Sequence, residues 1–150
     1  MAAGYYMHPH WGGWLYLAGH KDLFTGEVVG YAMGELMTKN LVSQSLLRAV
    51  TAKRPSASLI HHSDRGSQCG MTVSMSRKGN YYGNAQMESF WGVRRDEQTH
   101  HCRYATRQGA IADITEYIEI FDNQQRKQSR LVFLSPAALE RWFHEKRLAA

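Results

Sequence analysis

Cysteine is scarce: the 150 residues contain two, Cys69 and Cys102. They lie far apart with no paired spacing, which argues against both a zinc site and a disulfide framework. Free thiols suit a reducing compartment, so a cytoplasmic setting is expected. No apolar run nears the roughly 20 residues that cross a bilayer, and residues 1–13 lack the basic-then-apolar layout of a secretion signal. No membrane partner is expected. An excess of acid is missing too. Eighteen Lys+Arg stand against thirteen Asp+Glu, a formal charge of +5, which favours a polyanionic partner. Internal repeats and low-complexity segments are absent. What is present is enough apolar material, 43% of residues, for one domain with a core.

The pattern sharpens after residue 13. Trp14-Leu15-Tyr16-Leu17-Ala18 and Glu27-Val28-Val29-Gly30-Tyr31-Ala32-Met33 are strand-like, and the turn at 22–26 makes them an antiparallel hairpin with Asp22 as a turn residue. Thr38 is a candidate cap for a helix to about Lys53, with Leu41, Val42, Ser45, Leu46, Ala49 and Val50 on one face. A short apolar run, Ser58-Leu59-Ile60, then leads into His61-His62-Ser63-Asp64-Arg65-Gly66-Ser67-Gln68. Asp64 stands where that strand should end. It either caps the turn or, as working groups gather beyond the carboxyl ends of strands, holds a metal ion.

Met71 to Met75 forms another strand-like run. The few residues after Asp64 cannot carry a parallel crossover, which takes about a dozen or more. Either this strand pairs antiparallel to the previous one or a connection is missing. Ser76 to Asn80 is a basic loop, open to solvent or to a phosphate. Asn84 is placed to cap a helix to about His100, with Met87, Phe90 and Trp91 on one side and Glu88 beside them. Glu88 in a first turn is also what the helix dipole favours. Thr106 caps an amphipathic helix carrying Ala110, Ile111, Ile114, Tyr117, Ile118 and Phe121. Residues 124–130 form a polar, basic linker, and Ser135-Pro136 opens a last helix to about Leu148.

Several runs in this order resemble one family. They are Trp14 to Ala18, Asp22 to Gly30, His61 to Gln68, Ser74 to Asn80, Asn84-Ala85-Gln86-Met87-Glu88-Ser89-Phe90-Trp91-Gly92 and Leu134 to Ala137. Together they are similar to the catalytic core of bacterial insertion-sequence transposases of the retroviral-integrase superfamily. The resemblance implies an α/β, ribonuclease-H-like fold: a mixed sheet with flanking helices. It implies DNA as partner and a chemistry in which three carboxylates hold two Mg²⁺ ions for phosphoryl transfer. Asp64 matches the second carboxylate and Glu88 the third. Arg65, Arg77, Lys78, Asn80 and Asn84 match positions for which the resemblance implies a DNA-facing role.

Two departures mark the fold as incomplete. The family's first carboxylate lies on the first strand, in a run like Asp-Ile-Thr. Counting back from Trp14 puts Gly4 at that place. Codons exist for residues 4–10 that, read one base later, encode Asp-Ile-Thr-Cys-Ile-Pro, so the hypothesis is a frameshift upstream of Trp14, which fails if neither neighbouring frame of the gene encodes such a run. The second departure is a deficit of roughly a dozen residues between Asp64 and Glu88, where the family has a crossover helix. The expected organisation is an altered segment at 1–13, a core remnant at 14–123, and a linker with a C-terminal helix at 124–150. The expected function is that of a transposase core homologue whose catalysis is lost with one of three ligands, since such groups act as a unit. The alternative is a DNA-binding or transposase-interacting fragment that modulates an intact copy. A histidine-based metal enzyme fits poorly, because His61 and His62 point to opposite faces of a strand and His100 and His101 share no helix face.

Overall fold

A computed structural model describes residues 1–10, 13–55, 60–63, 72–75, 85–94 and 104–148. Five strands form one mixed sheet in the order β3-β2-β1-β4-β5. They are β1 (Ala2–His10), β2 (Gly13–Lys21), β3 (Val28–Gly34), β4 (Ile60–Ser63) and β5 (Thr72–Met75). β1, β2 and β3 run antiparallel in turn, while β4 lies parallel to β1 and β5 parallel to β4. This is the α/β, incomplete ribonuclease-H-like arrangement expected from the sequence.

The sheet differs from the sequence reading in two places. The strand that Tyr5, Tyr6 and Met7 suggest in the sequence extends over residues 2–10, although residues 8–10 carry no period, and it is central, paired with β2 from Ala2↔Lys21 to His10↔Gly13. The ladder runs to β2 along the whole strand and to β4 at Ala2↔His62, and backbone pairing outweighs a poor side-chain pattern. The antiparallel option for residues 72–75 is overturned: Ile60 pairs with Thr72 and Ser63 with Met75 in parallel register. Residues 64–71, which join these strands, lie outside the described residues.

Helices cover both faces. α1 (Lys39–Lys53) has the expected cap, with the Thr38 hydroxyl accepting from Leu41 N–H at 3.2 Å. It ends on Arg54 in a left-handed conformation, whose N–H donates to the Val50 carbonyl. Leu41, Ser45, Leu46 and Ala49 are buried, whereas Val42 is exposed at the edge of the stripe. The close fit of α1 depends on Gly30, where a Cβ would lie 2.4 Å from the Ala49 nitrogen and 2.5 Å from the Ser45 oxygen.

The other face holds the main core. Leu15, Leu17 and Val28 pack there with Met87, Phe90 and Trp91 of α2 (Ala85–Arg94) and with Ala110, Ile114 and Ile118. α3 (Arg107–Glu116) starts at the Thr106 cap, where Oγ accepts from Gly109 N–H at 3.1 Å. It runs directly into a π-helical segment, Tyr117–Gln125. The expected linker at 124–130 therefore begins inside a helix and includes a 3₁₀ turn, Ser129–Leu131. α4 (Pro136–Leu148) closes the fold, with Ala138 N–H donating to the Ser135 hydroxyl. Lys53 ties α1 to the rest, bridging Glu27 at 2.5 Å and Glu140 of α4 at 2.6 Å.

Candidate functional site

Of the residues proposed from sequence, the structure describes Glu88. Asp64, Arg65, Arg77, Lys78, Asn80 and Asn84 lie outside the described residues. Glu88 sits in the first turn of α2 and is exposed. Its neighbours Met87 and Trp91 are buried against the sheet, which fixes the helix over β1 and β2. Gly4 on β1 and its register partner Gly19 on β2 both face that helix. A Cβ on Gly4 would meet Trp91 Nε1 at 2.6 Å and Met87 Cγ at 2.8 Å. Position 4 thus faces the helix that carries Glu88, with no carboxylate and no space for one as packed. Asp22, an acid in the turn after β2, is committed to that turn: its carboxylate accepts from Phe24 N–H at 3.0 Å and from the Thr25 hydroxyl at 3.2 Å. Among the described residues no three His, Cys, Asp or Glu side chains group as metal ligands.

A second constellation lies on the same face of the sheet. Lys21, at the inward end of β2, and Asp122, in the π-helical segment, are both buried and stand 3.6 Å apart. Arg126 reaches the other Asp122 oxygen at 3.7 Å and donates to the Tyr117 hydroxyl at 2.8 Å. The Lys21 ammonium also sits 4.6 Å from the centre of the Phe90 ring. Burial holds the Lys21 pKa below the ordinary lysine range. Asp122 opposes that shift, while the positive charges of Arg130 and Arg126 add to it. These groups border an open cavity of about 450 Å³ between α2 and the 3₁₀ turn, also lined by Lys127 and Arg130.

The π-helical segment places this acid. Asn123 accepts from Val28 N–H at 2.9 Å and donates to the Val28 carbonyl at 3.1 Å, serving the backbone next to the register shift at His20/Lys21. Its neighbour Asp122 then faces Lys21. The sequence reading missed this cluster. Its signal was a lysine continuing the inward row Leu15, Leu17, Gly19, and an aspartate four residues after the buried Ile118.

The Integrase core domain family matches residues 3–108, and a second family of the same description matches residues 88–148. The chain belongs to the integrase core domain family. This integrase core is 53% identical over 145 residues to the Insertion element IS600 uncharacterized 31 kDa protein of Shigella sonnei, covering 89% of this chain and 53% of that protein. It is 37% identical over 142 residues to the Transposase for insertion sequence element IS904 of Lactococcus lactis, covering 87% of this chain and 56% of that one. It is 34% identical over 140 residues to Transposase InsF for insertion sequence IS3A of Escherichia coli, with 85% and 49% covered. The chain therefore spans about half the length of the curated relatives it matches. In the first of these, 89% of 150 residues is about 134, against an alignment 145 long, so the relative has about eleven residues without a counterpart here. The other two give a deficit of about a dozen each, the size expected from the sequence. No helix among the described residues is long and apolar enough to cross a membrane.

Proposed function

We propose that this chain is a transposase-derived integrase core that binds DNA and has lost strand-transfer catalysis. In this reading Asp64 and Glu88 are the two surviving acids of a Mg²⁺-dependent phosphoryl-transfer centre. Gly4 takes the place of the third. Arg65, Arg77, Lys78, Asn80 and Asn84 are contacts to the phosphate backbone, and the chain works where bacterial DNA is, in the cytoplasm. The observation that carries the loss of catalysis is the packing at Gly4: the position aligned with the missing acid is filled by Trp91 and Met87. An active two-ion centre loses orders of magnitude in rate when one of its cooperating groups is removed.

The test is incubation of the purified chain with DNA carrying the element's ends, in Mg²⁺ and in Mn²⁺. No cleaved or joined product is expected. Product that disappears with Asp64→Ala overturns the reading.

A second reading is association with an intact transposase, and the exposed apolar side chains Val132, Phe133, Trp142 and Leu148 favour it. Co-expression with an active copy separates the two: a fall in transposition frequency supports association, and an unchanged frequency removes it.

A further inference from the structure

The cavity between α2 and the 3₁₀ turn carries an unbalanced charge. Among the described residues four cations, Lys21, Arg126, Lys127 and Arg130, line it with one acid, Asp122, and a second acid, Asp22, acts on Arg130 from the turn after β2. Asp122 lies near two of them, Lys21 and Arg126, so its single charge offsets one of the two. Lys127 and Arg130 are exposed on the rim, and Arg130 is held in place by donating to the Leu23 carbonyl at 2.9 Å. Crowding cations in a cleft with apolar walls focuses the field and raises the local concentration of anions. Burial first, and then the charges of Arg130 and Arg126, push Lys21 towards its neutral form against the pull of Asp122. The wall on the α2 side is apolar, with the Phe90 ring beneath the Lys21 ammonium. A volume of about 450 Å³ admits a group of nucleotide size.

We infer that this cleft is a binding site for phosphate groups of a nucleic-acid backbone, with Lys127 and Arg130 making the contacts and the Lys21–Asp122–Arg126 cluster holding the floor. The inference rests on the DNA-binding part of the proposed function and gives it a location whose lining does not include Glu88. Lys127 and Arg130 lie in the run that the sequence reading treated as a linker, and none of the residues proposed from sequence is among them. Contacts of this kind hold the backbone and confer no base preference.

The test measures binding of a short fluorescent DNA duplex to the full chain across a salt series. Lys127→Gln with Arg130→Gln is compared with a matched pair, Lys39→Gln with Arg54→Gln, at the two ends of α1 on the opposite face of the sheet. For two lost phosphate contacts the slope of log affinity against log salt should fall by about 2, and the affinity should drop for any duplex sequence. The control pair should retain the slope of the unaltered chain. Lys127→Gln alone, at an exposed site, should lower the slope by about 1 with no change in the thermal midpoint. Equal losses for both pairs, or an unchanged slope in the cleft pair, overturn the cleft and leave DNA binding standing. No duplex binding by the unaltered chain overturns both.

Discussion

Gly4 on the central strand faces Trp91 on α2 so closely that a Cβ at position 4 would lie 2.6 Å from the indole nitrogen. The ring is buried, packed beside Phe90 at 4.7 Å between centroids, and Met87 closes the other side. On the proposed reading, the acid replaced at position 4 has lost more than its side chain. Its space belongs to the core that holds the helix bearing Glu88.

Gly4→Asp should consequently fail to restore a metal centre by itself. The new side chain forces Trp91 or Met87 off its packing, and overpacking of a filled core costs about 1–3 kcal/mol. Urea unfolding should show a lower midpoint, and cleavage of end-bearing DNA should remain absent. Adding Trp91→Ala should cost less in the Gly4→Asp background than in the unaltered chain, because the two changes share one space. Additive costs, or an unchanged midpoint for Gly4→Asp, would show that the indole gives way freely.

Gly30→Ala tests the opposite face. There the nearest atoms are backbone of α1, at 2.4 and 2.5 Å, which no rotamer change can move. The whole helix must lift from β3. The loss should fall in the upper part of the roughly 1–3 kcal/mol overpacking range or beyond it. Gly34→Ala is the control, since its nearest neighbour is the Leu41 methyl at 3.2 Å. Thermal midpoints should rank the unaltered chain above Gly34→Ala, and that above Gly30→Ala.

The sequence carried the helices through caps and periods. Thr38, Thr106 and Ser135 each accept the backbone N–H that their position predicted. Asp22 does bind its own turn. Three features were not legible. Residues 8–10 have no strand pattern, and they extend the strand suggested at Tyr5, Tyr6 and Met7 by pairing to β2, which is a tertiary effect. The π-helical segment follows from Asn123 satisfying Val28 across a separation of 95 residues, which no local window contains. The Lys21–Asp122 pair needs both the strand alternation and that helical offset, so its members look unrelated in the sequence. Of the candidate site, Glu88 alone falls among the described residues, on the helix expected for it.

Asp122→Ala should be among the most damaging changes on the cleft side. It leaves the buried Lys21 facing Arg126 without the carboxylate between them. Removing one partner of a buried pair typically costs about 3–5 kcal/mol, whereas replacing both by apolar groups is often close to neutral. Lys21→Met with Asp122→Leu should therefore unfold at a higher urea concentration than Asp122→Ala. The sign of the pH effect follows from Lys21, whose pKa burial holds below its ordinary value. Just under that ordinary value the folded chain binds fewer protons than the unfolded one, so stability rises as pH climbs through the window. Lys21→Met should remove that rise.

Tyr31 gives the opposite slope. Burial first, and then its hydrogen bond to Glu119 at 2.9 Å, push its pKa up to about 12 from 10.0. The folded chain keeps the phenol proton in a range where the unfolded chain has lost it. The contribution is complete below pH 10.0 and is lost as pH rises towards about 12. Absorbance at the phenolate band should show a late step from Tyr31, and Tyr31→Phe should remove that step. Glu119→Gln should move it to lower pH, because the carboxylate both accepts from the hydroxyl and repels the phenolate. The difference in unfolding midpoint between the unaltered chain and Tyr31→Phe should shrink across the same range, which separates this group from Lys21. A difference that holds constant to pH 12 would mean that neither burial nor the bond to Glu119 raises the Tyr31 pKa in solution.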